Sequence, residues 1–231
     1  MVQRPGIASP APGSREFATE CRRLDRRPPT YRLAKRVFDV AFSAFAITVG
    51  VVPCLLLAAA IALDTKGSPL YSQVRAGRNG LPFRLYKFRS MVADADNVEK
   101  YLTEEQLAAW KRERKVCDDP RVTRLGRFIR KTSLDELPQF INVLLGNISV
   151  IGPRPITYDE LAEFGNDVEL LLSVEPGITG AWQCGPRNEA SFDNGRRQAI
   201  ELSYVRDACV RLDATIFFST FRAMFGRRTG I

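Results

Sequence analysis

The dominant pattern in the chain is one apolar run, Val40 to Leu63, in which 24 consecutive residues carry no charge. A run of this length predicts a membrane helix, because about 20 apolar residues span the hydrocarbon core of a bilayer. A helix buried in a protein core is the weaker alternative, since it would need protein on every side. Pro53 lies mid-run, where it removes a backbone hydrogen bond and favours a bend. The pattern is therefore compatible with a straight span and with a re-entrant helix that enters and leaves through one leaflet.

The sequence around this run divides the chain into three segments. Residues 1–30 are rich in Pro, Arg, Gly and Ser without an apolar period, so we expect a disordered basic tail. Residues 31–65 form the membrane helix, and residues 66–231 form a cytoplasmic domain. Both flanks of the apolar run are basic, and such flanks favour the cytoplasmic side. The basic residues are Arg22, Arg23, Arg26, Arg27, Arg32, Lys35 and Arg36 before the run and Lys66, Arg75, Arg78 and Arg84 after it.

A β-hairpin is predicted between Pro69 and Met91. Asn79-Gly80 separates two strand-like runs there, and this dipeptide is a strong hairpin signal. Lys87 and Arg89 alternate along the second run, which places both cations on one face of the strand. Solvated edge charges are the plain alternative. The charged segment from Val92 to Lys115 predicts a solvent-facing helix.

Two adjacent carboxylates, Asp135 and Glu136, are the strongest candidate for chemistry. Ser133 and Glu136 have the spacing of a capping box, and Pro138 is tolerated only near a helix start. We therefore expect both acids in the first turn of a helix that ends at Gly146. A purely structural capping role for Glu136 stays open. Five cations lie just upstream, namely Arg121, Arg124, Arg127, Arg130 and Lys131.

Nearby cations are expected to keep the acids ionised, although two neighbouring carboxylates raise each other's pKa. Downstream, Pro153 and Pro155 restrict the backbone on either side of Arg154, which would preorganise its guanidinium for a phosphate. A structural turn is the alternative. Another turn at Pro176–Gly180 precedes Trp182, and Arg187-Asn188 adds a further cation beside an amide.

Composition narrows the chemistry. The chain has 231 residues, a formal charge of +8 and no histidine. The absence of histidine excludes a Ser-His-Asp triad and His-ligated metals, so an enzyme built on this chain must use carboxylates. Its five cysteines are scattered without a CxxC pair, which argues against a disulfide framework or a zinc site. The net positive charge indicates an anionic partner such as nucleic acid, an anionic lipid surface or a phosphorylated substrate.

The ordered motifs resemble those of bacterial sugar transferases, the monotopic polyprenyl-phosphate phosphoglycosyl transferases. The resemblance covers about Arg32 to the C-terminus and is greatest to the small exopolysaccharide-priming members. The motifs are Lys35–Asp39 (KRVFD), Tyr86–Met91 (YKFRSM), Leu134–Gln139 (LDELPQ), Asn147–Pro155 (NISVIGPRP), Pro176–Gly180 (PGITG), Trp182-Gln183 and Arg187-Asn188.

The resemblance implies an α/β fold, mostly helical with a short β-hairpin. A re-entrant membrane helix would precede a cytoplasmic catalytic domain with interfacial amphipathic helices. It also implies Asp135 as the nucleophile, Glu136 as its partner, and both acids as ligands of Mg²⁺. Substrate-binding positions carried over by motif are Lys87, Arg89, Arg130, Arg154, Pro155, Arg187 and Asn188.

The implied reaction transfers a sugar 1-phosphate from a UDP-sugar to polyprenyl (undecaprenyl) phosphate and releases UMP. It would begin exopolysaccharide or other surface glycan synthesis at the cytoplasmic face of a bacterial inner membrane. Glucose or galactose is the sugar suggested by the resemblance, the membrane partner is lipid of the cytoplasmic leaflet, and a homodimer is a candidate assembly. The alternative is a non-catalytic basic membrane protein that binds anionic lipid or nucleic acid, but no nucleic-acid motif is present.

The last apolar pattern lies near the C-terminus and predicts an amphipathic helix. Such a helix can lie at a membrane interface or pack on the domain core. The residues of this stripe are Leu212, Ile216, Phe217, Phe221, Met224 and Phe225.

Overall fold

The computed structural model of the chain describes residues 10–113, 116, 118–185, 190–192 and 194–225. The helices are α1 Arg15–Leu24, α2 Pro29–Asp64, α3 Val98–Tyr101, α4 Glu104–Glu113, α5 Arg124–Thr132, α6 Gln139–Leu144, α7 Val168–Leu171, α8 Ala181–Cys184, α9 Arg196–Asp207 and α10 Val210–Phe225. The strands are β1 Leu70–Ala76, β2 Pro82–Phe88, β3 Ser149–Ile151 and β4 Gly177–Thr179, and 3-10 turns cover Arg78–Gly80, Leu134–Glu136 and Asp159–Asp167. The described fold is mostly helical, as predicted, and it contains two small sheets, of which only the hairpin was predicted.

The strands form two separate pairs. β1 and β2 form the predicted hairpin. Its turn contains Asn79 with a φ of 59°, a left-handed conformation that asparagine tolerates better than most residues. β3 and β4 pair in parallel, with Ser149 opposite Gly177 and Ile151 opposite Thr179.

The chain forms two compact units. The first unit comprises Met1–Ala46, Gln73–Leu85 and Gln139–Ile231, and the second comprises Ile47–Ser72 and Tyr86–Pro138. The membrane helix α2 and the hairpin run through both units, so each unit is assembled from segments that are distant in the sequence.

The predicted long apolar helix is present as α2. It continues through Pro53 as one helical element of 36 residues, and it is long and apolar enough to cross a membrane by length and composition. Only 6% of its most apolar window is buried inside the protein. This exposure contradicts the alternative of a buried core helix, because the apolar side chains lack protein on most sides.

The predicted disordered tail is wrong for Arg15–Leu24, which form α1. Ser14 caps this helix by accepting a hydrogen bond from the Phe17 N–H at 3.1 Å. Phe17 and Cys21, one turn apart, are almost completely buried among apolar residues of the first unit. The composition hid this helix because its remaining positions are mostly charged and only one narrow stripe is apolar.

The start of α2 is anchored to the first unit by three polar side chains. Lys35 Nζ donates to Asp213 at 2.7 Å, and Asp39 accepts from the Ser149 hydroxyl at 3.0 Å. Arg36 donates to two carbonyls at the end of α6, with distances of 2.6 and 2.8 Å. These hydrogen bonds pair charged side chains and backbone carbonyls that would otherwise lack partners. The KRVFD motif therefore has a structural role.

The second unit has a small core of its own. Ile61 from α2, Phe88 from β2 and Ile129 from α5 are its most buried apolar residues. The helix α5 approaches the chain so closely that a Cβ at Gly126 would overlap the Ser90 carbonyl. Glycine is therefore required at this contact, which fixes α5 against the end of β2.

The C-terminal stripe packs largely on the first unit. Ile216 is buried, and Leu212 and Phe217 pack against the same core. Phe218 and Phe221 are exposed on the described part of α10. Packing on the core is therefore confirmed for the inner part of the stripe, while the exposed rings remain available to an interface.

Glu201 is an unusual core residue because it carries a carboxyl group with only 2% of its surface exposed. Burial raises its pKa from 4.5 to about 7, although the Arg154 N–H and the charges of Arg197 and Arg154 oppose this change. The folded protein thus holds a proton at Glu201 that the unfolded chain has already released. Stability must therefore fall as the pH rises through the interval between these two pKa values.

We predict that the free energy of unfolding falls by a few kcal/mol between about pH 4.5 and 7 because of Glu201. Glu201→Gln should remove this decrease and raise the melting temperature at pH 8 by about 5 °C or more. The measurement is thermal unfolding in detergent across this pH range. Asp207→Asn, at an exposed acid of the same helix, is the control and should keep the wild-type slope. An unchanged slope in Glu201→Gln would contradict the prediction.

Candidate active site

The two acids lie on the 3-10 turn Leu134–Glu136, directly before α6. Ser133 has a φ of 58° and ends α5, where its N–H bonds to carbonyls of that helix. Its side chain makes no capping hydrogen bond to the turn. The predicted capping box is therefore wrong, as is the placement of Asp135 and Glu136 in the first α-helical turn. Gly146 follows α6 with a φ of 80°, which confirms the predicted end of this helix.

Lys87 brings the acid pair and the hairpin together within the second unit. Its Nζ donates to Glu136 Oε1 at 2.8 Å and lies 3.8 Å from Asp135 Oδ2. The Lys87 and Glu136 side chains are 26% and 28% exposed, whereas that of Asp135 is 12% exposed. The site thus offers one cation shared by two carboxylates, at a position partly open to a ligand.

Burial controls the protonation of Asp135. It raises the pKa of this carboxyl above its ordinary value, with a further increase from Glu136, while Lys87 and Arg130 oppose the change. The cations thus oppose the rise in the pKa of Asp135, as expected, but they do not cancel it. The cause is desolvation, which penalises a charged carboxylate more than the two cations compensate.

Arg130 approaches the acids from the last turn of α5. Its Nε donates to the Ser90 hydroxyl at 2.7 Å, and the charge of Asp135 acts on its guanidinium. Burial lowers the pKa of Arg130, although Asp135 and Asp119 oppose the change. Ser90 is a positioning residue that pattern reasoning did not single out, although it belongs to the YKFRSM motif.

The structure does not place Arg89 with the acids. Its guanidinium donates to the carbonyls of Lys66, Thr65 and Gly67 at 2.9, 2.8 and 3.2 Å. These carbonyls follow or end α2, where helical backbone acceptors lack partners. Arg89 therefore stabilises the end of the membrane helix.

The predicted Mg²⁺ site depends on the side-chain oxygens that Asp135 and Glu136 offer. Among the described residues, no group of three or more Asp, Glu, Cys or His side chains could hold a metal. Asp135 and Glu136 nevertheless offer two hard oxygen ligands, and Mg²⁺ is often held by one or two carboxylates together with substrate phosphates. The residues present fit such a shared site.

In the first unit, two backbone hydrogen bonds hold the Pro-Arg-Pro turn against the Pro176–Gly180 segment. The Gly152 N–H donates to Thr179 O at 2.9 Å, and the Gly177 N–H donates to Pro153 O at 2.7 Å. A Cβ at Gly177 or Gly180 would overlap the Gly152 backbone. The two glycines of the PGITG motif are thus needed because another main chain passes directly over them.

Side chains complete the support of this turn. The Arg154 N–H donates to Glu201 Oε1 at 3.2 Å, and Arg75 donates to Pro155 O at 3.2 Å. The guanidinium of Arg154 lies 5.7 Å from the ring centroid of Trp182. The backbone of the turn that carries Arg154 and Pro155 is therefore held from several sides, while the contact of Arg154 with a phosphate stays a prediction. Arg187 and Asn188, also predicted to bind substrate, lie outside the described residues.

Two buried ionisable residues of α9 were missed by sequence reasoning. Arg197 and Glu201 are 7% and 2% exposed, on adjacent turns of α9. Their spacing of four residues is typical of an exposed ion pair on a helix, so the pattern carries no signal of burial. Phe192, which is nearby in the sequence, is the feature that indicates an apolar side chain packed against Arg197.

Comparison with known proteins agrees with the geometry. The family model described as "Bacterial sugar transferase" matches residues 30–227. The chain is 40% identical over 199 residues to the "Undecaprenyl-phosphate galactose phosphotransferase" of Salmonella typhimurium, covering 85% of this chain and 41% of that protein. It is 39% identical over 217 residues to the "Undecaprenyl-phosphate glucose phosphotransferase" of Komagataeibacter xylinus, covering 88% of this chain and 38% of that protein.

A shorter relative matches over most of its own length. It is the "Exopolysaccharide production protein ExoY" of Sinorhizobium fredii, 37% identical over 199 residues, with 85% of this chain and 87% of that protein covered. The chain thus spans about two fifths of the longer relatives and nearly all of the ExoY protein. The predicted resemblance is confirmed, and the chain belongs to the bacterial sugar transferase family.

Proposed function

We propose that this chain transfers a sugar 1-phosphate from a UDP-sugar to membrane polyprenyl phosphate and releases UMP. The product would be a polyprenyl diphosphosugar, the starting unit of an exopolysaccharide or another surface glycan. The observation that carries the proposal is the buried Asp135 carboxylate beside Glu136 and Lys87. The names of the relatives, which combine undecaprenyl phosphate with galactose or glucose, support the same acceptor and donor classes.

The proposed chemistry has two displacements at one phosphorus atom. A carboxylate oxygen of Asp135 attacks the β-phosphorus of the UDP-sugar, the bond to the bridging oxygen breaks, and UMP leaves. A phosphate oxygen of the polyprenyl phosphate then attacks the same phosphorus and displaces the Asp135 carboxylate. Burial suits this role because a poorly solvated carboxylate is a stronger nucleophile, and the raised pKa of Asp135 reflects that poor solvation.

The neighbouring groups have distinct proposed roles. Lys87 and Arg130 stabilise negative charge on the transferred phosphoryl group, and Glu136 orients Lys87 through their 2.8 Å contact. When Mg²⁺ is bound, Asp135 and Glu136 would hold it, and the ion would neutralise the diphosphate. Arg154 and Pro155, with Arg187 and Asn188, are proposed to contact the nucleotide and its phosphates. For Arg89 we retain only an indirect role in substrate binding, since it holds the end of α2.

A re-entrant topology for α2 is supported by the composition of the first unit. Phe17 and Cys21 from α1, before the membrane helix, share one core with Ile156 and Leu161, which follow it. Arg27, which also precedes α2, donates a hydrogen bond at 3.0 Å to Glu175, which follows α2. A straight span would place these partners on opposite sides of the bilayer. We therefore propose that both ends of α2 lie at the cytoplasmic face of the inner membrane.

The test of the function is release of UMP from a panel of UDP-sugars in vesicles that contain polyprenyl phosphate and Mg²⁺. Asp135→Asn should lower turnover by about 10⁴-fold, because the nucleophile is lost. Glu136→Gln should lower it by about 10²-fold, because Lys87 and the metal lose a charged partner. Glu99→Gln, an exposed acid of the second unit, is the control. Substantial turnover in Asp135→Asn would refute the assigned nucleophile, and no UMP release by the wild type would refute the function.

The topology predicts the labelling of single cysteines in a cysteine-free background. Thr19→Cys, on the exposed side of α1, and Asp96→Cys, in the second unit, should both resist a membrane-impermeant thiol reagent in intact bacterial cells. Both should react after the cells are opened, which shows that the thiols themselves are accessible. A straight span predicts opposite outcomes at the two positions. Labelling of Thr19→Cys alone in intact cells would therefore contradict the re-entrant arrangement.

A further inference from the structure

One edge of the Arg197 guanidinium is buried, and the residue is only 7% exposed. Within the part of the chain that the structure describes, the Nε and Nη2 atoms of this edge have no hydrogen-bond partner. Buried donors are almost always paired, because leaving them unsatisfied costs the full desolvation penalty. Two such donors on one edge of one guanidinium have the geometry to bind an acceptor with two oxygens.

Other buried arginines of the chain show what normally occupies this edge. Arg27 uses Nε and Nη2 to bind both oxygens of Asp25 at 2.9 and 3.1 Å. Arg121 binds Asp119 in the same way, at 2.9 and 2.6 Å. Arg197 is buried to a similar extent but has no such carboxylate. Its unpaired edge is thus an exception within the described part of this chain.

The nearest acid does not supply the missing acceptor. Glu201 lies one turn along α9, but its Oε1 accepts the Arg154 N–H and its Oε2 is itself buried without a partner. Burial and the positive charges of Arg154 and Arg75 lower the pKa of Arg197 to about 10, against the opposing effect of Glu160 and Glu201. Within the described residues, neither Glu160 nor Glu201 forms a hydrogen bond with the Nε and Nη2 edge of Arg197.

The guanidinium of Arg197 is also held in place before any ligand arrives. Its central carbon lies 4.3 Å from the ring centroid of Trp182 and 3.9 Å from that of Phe192. Trp182 is itself fixed by a 2.9 Å hydrogen bond from its Nε1 to Ala190 O. A planar fork clamped by aromatic rings loses little conformational freedom on binding, and its geometry matches two oxygens of a phosphate.

We propose that the Nε and Nη2 edge of Arg197 binds a phosphate oxyanion of a substrate, with Trp182 and Phe192 holding the guanidinium in position. This assignment rests on the proposed function, which supplies two phosphate sources. One is the diphosphate of the soluble donor, and the other is the phosphate of the lipid acceptor. Both present the same paired oxygens, so the experiment is designed to separate them.

The binding test uses the full chain in detergent with Trp110→Phe, which leaves Trp182 as the sole tryptophan of the two in the sequence. Its fluorescence is titrated with pyrophosphate and separately with dodecyl phosphate, at constant ionic strength. We expect a saturable change with one of the two probes. Saturation by pyrophosphate assigns the site to the donor, and saturation by dodecyl phosphate assigns it to the acceptor. No saturable change with either probe would overturn the proposal.

Variants then test the contact itself. Arg197→Lys keeps the charge and loses the paired edge, and Arg197→Met keeps the bulk between the rings. Each should weaken binding of the effective probe by about tenfold to a hundredfold, as expected for charge-assisted hydrogen bonds. Arg206→Met, at an exposed position of the same helix, should bind like the wild type. Thermal unfolding shows which variants are folded, and wild-type affinity in either folded variant would overturn the proposal.

Enzyme kinetics separate this inference from the function on which it rests. In an active protein, Arg197→Lys should raise the KM for the UDP-sugar if the donor binds there, or for polyprenyl phosphate if the acceptor does. If the wild type releases no UMP yet still binds a phosphate probe through Arg197, the proposed function fails and the anion site stands. If turnover is normal and neither KM changes in Arg197→Lys, the anion site fails and the function stands.

Discussion

The proposed chemistry depends on keeping a buried carboxylate reactive beside a second one. Asp135 is poorly solvated and next to Glu136, and both conditions favour its neutral form. Lys87 opposes this by approaching both acids from β2, while Arg130 adds charge from α5. The elements of the second unit are arranged to make this possible, since α5 is fixed against the end of the hairpin by a contact that only glycine allows.

The first unit holds the backbone of the Pro-Arg-Pro turn in a fixed position. The PGITG glycines let β4 pass over the Pro-Arg-Pro turn, and Glu201 accepts the N–H of Arg154 from inside the core. The same unit joins α1 to segments that follow the membrane helix through shared apolar packing and buried ion pairs. The side chain of Asp25 is 1% exposed and meets both Arg27 and Arg78. This connection is the observation behind the proposal that both ends of α2 lie on the same side of a bilayer.

Local patterns predicted the elements that local interactions determine. The Asn-Gly hairpin, the apolar helix and the end of α6 at Gly146 follow from turn chemistry and hydropathy, and the structure contains all three. Predictions failed where the spacing of residues allowed two structures. Ser133 has the spacing of a cap, yet it ends the preceding helix in a left-handed conformation. Arg197 has the spacing of a surface ion pair, yet packing against Trp182 buries it. The N–H of Ser133 bonds to carbonyls of α5, the helix that it ends, whereas Trp182, which packs on Arg197, belongs to a different helix.

The central claim is that Asp135 becomes covalently bound to the phosphosugar during turnover. The most direct measurement is the mass of the wild-type protein mixed with a UDP-sugar and Mg²⁺ in the absence of polyprenyl phosphate, then quenched in acid. We expect a mass increase of one sugar phosphate, located by peptide mapping at Asp135, and its loss when polyprenyl phosphate is added before quenching. Steady release of UMP to polyprenyl phosphate without any such adduct, or an adduct on a different residue, would contradict the account.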